Sequence, residues 1–245
     1  MQGMIFAAGL GTRLQPKTLT TPKALIEVNG RTLLETVVDR MITSGIKQIT
    51  INVHHFAQDI IDYIDSKKFN CKILISDERE ELLDTGGGLK KAWQNGLLDK
   101  DEDILVHNVD IISSIDFEKL HTYHRTHKNL VTLEVKERET SRYLLFDENK
   151  ILCGRELANS QKVFSRKYQK LYKYAFNGVH IVNPQILDDI ALEGKFSIVD
   201  AYMDLSKKYN INYHLERKDV LWYDVGTIEK LETVDKILRS SSINN

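Results

Sequence analysis

Apolar residues in the first half of the chain alternate between short unbroken runs and longer stretches at helical spacing. Met4-Ile5-Phe6 is a run of the kind that fills a buried strand. Leu33, Leu34, Val37, Val38, Met41 and Ile42 recur three and four residues apart and predict a helix that Gly45 ends. Gln48 to Val53 predicts a strand, Phe56 to Ile64 an amphipathic helix and Cys71 to Ser76 another strand. Leu89 to Leu97 then predicts a helix and Ile104 to His107 a strand. Repeated strand–helix units of this kind predict an α/β fold, Rossmann-like, with a mostly parallel central sheet and helices on both faces. In such sheets ligands bind beyond the carboxyl ends of the strands.

After Val135 the pattern changes. Tyr143 to Phe146, Ile151 to Cys153 and Tyr172 to Val182 read as strands without intervening helices, which predicts a small antiparallel addition to the sheet in the second half. Glu156 to Lys170 is polar and reads as a mobile loop or hairpin arm. Two helices (about Pro184 to Ala191 and Val199 to Tyr209), a strand from Ile211 to Leu215 and a closing helix from Ile228 to Leu238 follow. No linker interrupts the pattern, so one domain over residues 1–239 is expected, with 240–245 as a frayed, flexible tail.

Composition narrows the function classes. A chain of 245 residues can bury a substantial core, and its 34 basic against 35 acidic residues give no global field favouring nucleic acid or an anionic membrane. Cys71 and Cys153 are far apart in apolar surroundings, which suits packed, reduced thiols and neither a disulfide framework nor a metal site. No apolar run approaches membrane-spanning length, and a first strand starting by Met4 leaves no room for a signal peptide, so a cytoplasmic location is expected.

The chemistry concentrates in the turn after the first strand, Ala7-Ala8-Gly9-Leu10-Gly11-Thr12-Arg13-Leu14-Gln15-Pro16, followed by Pro22-Lys23. Glycines let backbone N–H groups approach an anion, and a guanidinium and an ammonium on the same loop suit a polyphosphate. Leu14 stands where a dinucleotide fingerprint needs its third glycine, and no Gly-Lys-Ser/Thr follows as in a Walker loop. Gly-Leu-Gly-Thr-Arg-Leu-Gln-Pro with Thr-Pro-Lys-Ala-Leu resembles the signature of the sugar-1-phosphate nucleotidylyltransferases, and the resemblance extends from about Met4 to the final helix.

That resemblance implies binding of a nucleoside triphosphate and a sugar 1-phosphate, with 1–110 as the nucleotide half and 111–239 as the sugar-phosphate half. It implies that Ala8, Gly9, Gly11, Thr12, Arg13 and Lys23 contact the triphosphate. Arg13 would hold the β- and γ-phosphates, and Lys23 would bridge the α-phosphate and the incoming anion. Read alone, Asp110 after the strand and Asp224 in Trp222-Tyr223-Asp224-Val225-Gly226-Thr227 are as readily a turn residue and a helix cap. The resemblance implies that they hold Mg²⁺, an ion that takes one or two carboxylates plus phosphate oxygens and water. A phosphate monoester is already ionised at neutral pH, so the reaction needs no general base, and no histidine–carboxylate pair stands near the loops.

Leu83-Asp84-Thr85-Gly86-Gly87-Gly88 reads alone as a flexible junction before a helix. By resemblance, Gly86 and Gly87 would read the base and ribose. The motif is most similar to the N-acetylmuramate-1-phosphate uridylyltransferase branch, which favours UTP; guanylyltransferases for heptose or mannose 1-phosphate are the alternative, and a cytidylyltransferase a more distant one. Asn108, Asn177 and Gly178 match positions where relatives contact the sugar, though Asn177-Gly178 alone reads equally as a strand kink or bulge. Arg142 reads as readily as an exposed strand arginine as a contact for an acceptor carboxylate. Many relatives have glycine where Val109 stands, and a valine there is expected to narrow the space beside the metal. His54 and His55 should point to opposite faces of a strand end, and His121, His124 and His127 are expected on a solvated helix face. A non-catalytic sugar-nucleotide sensor would not require both aspartates, and a nicotinamide oxidoreductase is disfavoured by Leu14. Oligomeric state is not set by the sequence.

Overall fold

A computed structural model describes residues 1–242. In chain order, β1 (Gln2–Phe6) leads into a loop of three short 3₁₀ turns, then the small ribbon β2 (Glu27–Val28) and β3 (Arg31–Thr32). There follow α1 (Leu33–Thr43), β4 (Gln48–Val53), α2 (Ala57–Ser66), β5 (Lys72–Asp77), α3 (Asp84–Gln94) and β6 (Ile104–Asn108). Next come β7 (Ile111–Ser113), α4 (Phe117–Thr126), β8 (Val131–Lys136), β9 (Tyr143–Phe146), β10 (Leu152–Glu156), β11 (Lys162–Phe164) and β12 (Tyr172–Val182). A 3₁₀ stretch at Pro184–Asp189, α5 (Ile198–Leu205), β13 (Ile211–Leu215), β14 (Trp222–Asp224) and α6 (Ile228–Ser242) complete the described chain.

The sheet runs β11-β10-β9-β12-β6-β1-β4-β5, with β8 also on β12 and β13 beyond β8. Strands β6, β1, β4 and β5 pair in parallel, as the strand–helix alternation predicts. The antiparallel addition pivots on β12, whose residues 179–182 pair with β6, while residues 172–174 pair with β9. Period-two alternation sends Met4 and Phe6 to one face of the sheet and Ile5 to the other. One face is covered by α1, α2, α4 and α6 through residues such as Leu34, Ile60, Leu120 and Leu231. The other is covered by α3 and α5 through Leu89, Ala92, Ile198 and Tyr202.

The structure moves the boundaries of two expected elements and decides between the two readings of a third. Helix α3 begins at Asp84 rather than Leu89, so the glycine triplet lies inside its first turns. Segment 156–170 resolves into a hairpin arm, β10 pairing antiparallel with β11. Helix α6 continues past Leu238 through Ser242, which makes residues 240–242 helical; the rest of the expected tail, 243–245, lies outside the described residues. Among the described residues no helix is long and apolar enough to cross a membrane.

Candidate functional site

The loop after β1 is fixed at both ends. The Ala7 N–H donates to the buried Asn52 Oδ1 at 2.8 Å, and Thr18 Oγ1 donates to the Gly11 carbonyl at 2.8 Å. Gly11 has φ of +65°, and a Cβ there would come within 2.7 Å of Thr18 Cγ2 and 3.2 Å of Lys23 Cβ. Both conformation and space require glycine at that point, which is what folds the Lys23 end of the loop back onto its start. Ala8 is buried, Gly11 half-buried, and Gly9, Thr12 and Arg13 are exposed.

A two-stranded antiparallel ribbon brings the aspartates together across most of the chain. Asp110 immediately precedes β7 and Asp224 ends β14; Asp224 is opposite Ile111 in the register, and the Val225 N–H donates to the Asp110 carbonyl at 3.0 Å. Gly226 lies between the functional groups. A Cβ added there would sit 2.8 Å from Arg13 Nη2, 2.8 Å from Asp224 Oδ1 and 3.2 Å from Asp110 Oδ2. The two carboxylate oxygens are thus no farther apart than the last two distances together, around a space that any side chain would fill. Among the described residues no group of three or more His, Cys, Asp or Glu forms a closed metal cage. A pair of carboxylates beside an open cradle suits Mg²⁺, whose remaining ligands are phosphate oxygens and waters.

Cations surround this pair. Lys23 Nζ lies 2.5 Å from Asp110 Oδ2, both side chains largely buried. Lys230 Nζ lies 2.8 Å from Asp224 Oδ2, and the Gly226 N–H donates to Asp224 Oδ1 at 2.9 Å. Burial alone would raise the Asp224 carboxyl, but Lys230, the Gly226 N–H and the Arg13 charge outweigh it and hold it below the usual carboxylate range.

A cavity of about 200 Å³ opens here, lined among others by Arg13, Asn108, Asp110, Asn177, Gly178 and Asp224. Asn177 is fully buried, and neither its Oδ1 nor its Nδ2 has a hydrogen-bond partner. Gly178 has φ of +76° within a register shift of β12 between Phe176 and His180, and a Cβ there would press 2.8 Å from Asn108 Nδ2. Asn177 thus combines an unpartnered buried amide with a strand irregularity beside this cavity.

Other expectations are rearranged. Gly86 and Gly87 both donate their N–H groups to the Phe196 carbonyl, and Cβ atoms on them would strike Phe196 and the Gly194 carbonyl. Those donors serve the docking of α3 against residues 194–197, so helix packing accounts for both glycines. Val109 is buried in the core with Ala7 and Leu14 and does not line the cavity, so it leaves the space beside the carboxylates unchanged. Arg142 is exposed and lines a neighbouring cavity of about 590 Å³ with Arg155 and Ser197, apart from Asn108, Asn177 and Gly178. His121 and His124 turn inward onto Asp103, with His124 fully buried, so only His127 of the three sits on a solvated face.

Sequence reasoning missed Arg138 and Lys230. Arg138 lines both cavities, lies 4.3 Å above the Trp222 ring and donates to the Phe176 carbonyl at 3.0 Å, while Trp222 Nε1 donates to the Asn177 carbonyl. Nothing in the spacing around an isolated arginine marks such a place.

Comparison with known proteins adds a family. The Nucleotidyl transferase profile matches residues 2–241. N-acetylmuramate alpha-1-phosphate uridylyltransferase of Caulobacter vibrioides is 42% identical over 92 residues, covering 36% of this chain and 38% of that protein. Mannose-1-phosphate guanylyltransferase catalytic subunit beta of Drosophila melanogaster is 28% identical over 92% of this chain and 59% of its own length. The chain therefore spans about 60% or less of the length of these relatives. A UDP-glucose pyrophosphorylase solved with UDP-glucose superposes with a TM-score of 0.78 at 15% identity, covering 98% of this chain and 99% of that one, which establishes the shared fold.

Proposed function

The chain belongs to the nucleotidyl transferase family, and from that premise we propose that it transfers a nucleoside monophosphate from an NTP to a sugar 1-phosphate, releasing pyrophosphate. The observation that carries this reading is the convergence of Arg13, Asp110 and Asp224 on Gly226, with Lys23 on Asp110, beyond the carboxyl ends of β1 and β6. Two anions must meet in this reaction, and the residues gathered here are those needed to neutralise and align them. Arg13 and the loop N–H groups of Gly9 to Thr12 bind the terminal phosphates, and Lys23 screens the approach of the sugar phosphate to the α-phosphorus. Asp110 and Asp224 would hold Mg²⁺ between them, and the chemistry that ion supplies is Lewis-acid polarisation of a phosphoryl oxygen. Asn177, Asn108 and Gly178 receive the sugar, the unpartnered Asn177 amide offering both a donor and an acceptor to a hydroxyl or acetamido group.

UTP and N-acetylmuramate 1-phosphate are the favoured pair, supported by the 42% identical stretch in the Caulobacter uridylyltransferase. The second reading is GTP with mannose or heptose 1-phosphate, supported by the guanylyltransferase match over 92% of the chain. Pyrophosphate release measured over a grid of four NTPs and the N-acetylmuramate, mannose, heptose and glucose 1-phosphates decides between them. Turnover that survives EDTA would remove magnesium from the proposal, and no turnover with any pair would remove the reaction.

A further inference from the structure

Each proposed metal ligand already has a lysine. Lys23 holds Asp110, and Lys230 holds Asp224 Oδ2 at 2.8 Å. Lys23 belongs to the phosphate loop, whereas Lys230 has no place in the reaction described above. It sits in the first turn of α6, where the helix dipole disfavours a cation, beside Glu229, which that end does favour. Local helix physics therefore gives no reason for a lysine there. Its ammonium donates to Asp224, six residues earlier in the chain. The other charges facing Asp224 are the guanidinium groups of Arg13 and Arg138 and the Asp110 carboxylate across the Gly226 space. The Lys230 side chain is 51% exposed and Asp224 23%, so the ammonium can swing into solvent, leaving the half-buried Asp224 carboxylate beside Arg13.

Resting on the reading in the preceding subsection, we infer that Lys230 is an internal competitor for the divalent ion, a positioning residue whose ammonium occupies Asp224 until an ion displaces it. The pair then sets the free-ion concentration at which the carboxylates fill. Removing the ammonium frees Asp224 and strengthens ion binding, whereas a lysine that merely braced the helix would weaken the site when lost.

The test is a Mn²⁺ titration of the full chain, followed by electron paramagnetic resonance without nucleotide, for wild type, K230M, K230Q, K230R and D224N. An exposed pair with one half-buried partner corresponds to roughly fivefold tighter Mn²⁺ binding in K230M and K230Q, with K230R restoring the wild-type value. The Mg²⁺ dependence of pyrophosphate release should move to lower concentration by the same factor. Equal or weaker Mn²⁺ binding in both neutral variants overturns the inference while leaving the reaction proposal intact, provided D224N loses the ion. Wild-type Mn²⁺ binding in D224N removes Asp224 as a metal ligand and takes the inference with it.

Discussion

Two pairs of carboxyl groups in this molecule have opposite fates. Asp110 and Asp224 meet at the end of the β7–β14 ribbon, each against a lysine, with Arg13 alongside, and the Asp224 carboxyl is held below its ordinary range. Glu134 and Glu216 meet at the β8–β13 edge, where Glu134 is completely buried and its Oε2 lies 2.8 Å from His214 Nδ1. Burial, reinforced by the Glu216 carboxyl, pushes Glu134 up to about 11, and burial also lowers His214, so no cation answers the acid there. Lys119, Arg217, Asp116 and Asp219 line the nearby cavity, but Arg217 is engaged by Asp219 and Lys119 by Asp116. Identical functional groups thus become a pair faced by cations in one place and, in the other, a buried pair in which Glu134 is held protonated. The facing charges decide which.

The sharpest way to break this contrast is to neutralise the charged pair. Asp110→Asn and Asp224→Asn should each lower pyrophosphate release by roughly 10²–10³-fold, with thermal unfolding little changed. A near wild-type rate in either variant would show that its charge is not used in turnover.

The buried Glu134 predicts an effect on stability instead of rate. Between the ordinary carboxyl range and about 11 the unfolded chain releases a proton that folded Glu134 keeps, so its contribution to stability declines as pH rises through that window. Glu134→Gln removes this decline. Urea unfolding at pH 5 and pH 8 should show the variant gaining up to about 4 kcal/mol on wild type over the interval. A pH-independent difference would mean that Glu134 is ionised in the folded protein.

The smallest expected effect refines the charged site. Asn177→Ala should raise the sugar 1-phosphate KM by about fivefold, around 1 kcal/mol, with little loss of stability because its amide atoms have no partners to lose. A large stability loss with unchanged KM would make Asn177 a structural residue.

Much of this was legible in the chain because it is written locally. Strand β12 was predicted with its observed ends, and the Gly11 turn with Arg13 and Lys23 declares itself through residue type alone. The start of α3 was misplaced because three consecutive glycines imitate a loop; their small size instead admits Phe196 and the Gly194 carbonyl, more than a hundred residues later. His124 was misread for a similar reason, since its partners Asp103 and Thr132 lie on other elements. Arg138 and Lys230 acquire meaning only when the β7–β14 ribbon closes. Their sequence surroundings are those of any surface cation.

Strand β12 has one more consequence. By hydrogen-bonding to β6 on one side and to β8 and β9 on the other, it makes the floor under the triphosphate loop continuous with the wall that carries Asn177. A hinge between these parts would have to tear a ladder running through the middle of the sheet. On the proposed reaction, adaptation to acceptors of different size would fall to the periphery, the Gly9–Pro22 turn and the β10–β11 arm, with the distance from nucleotide to acceptor held constant as if set on a single beam.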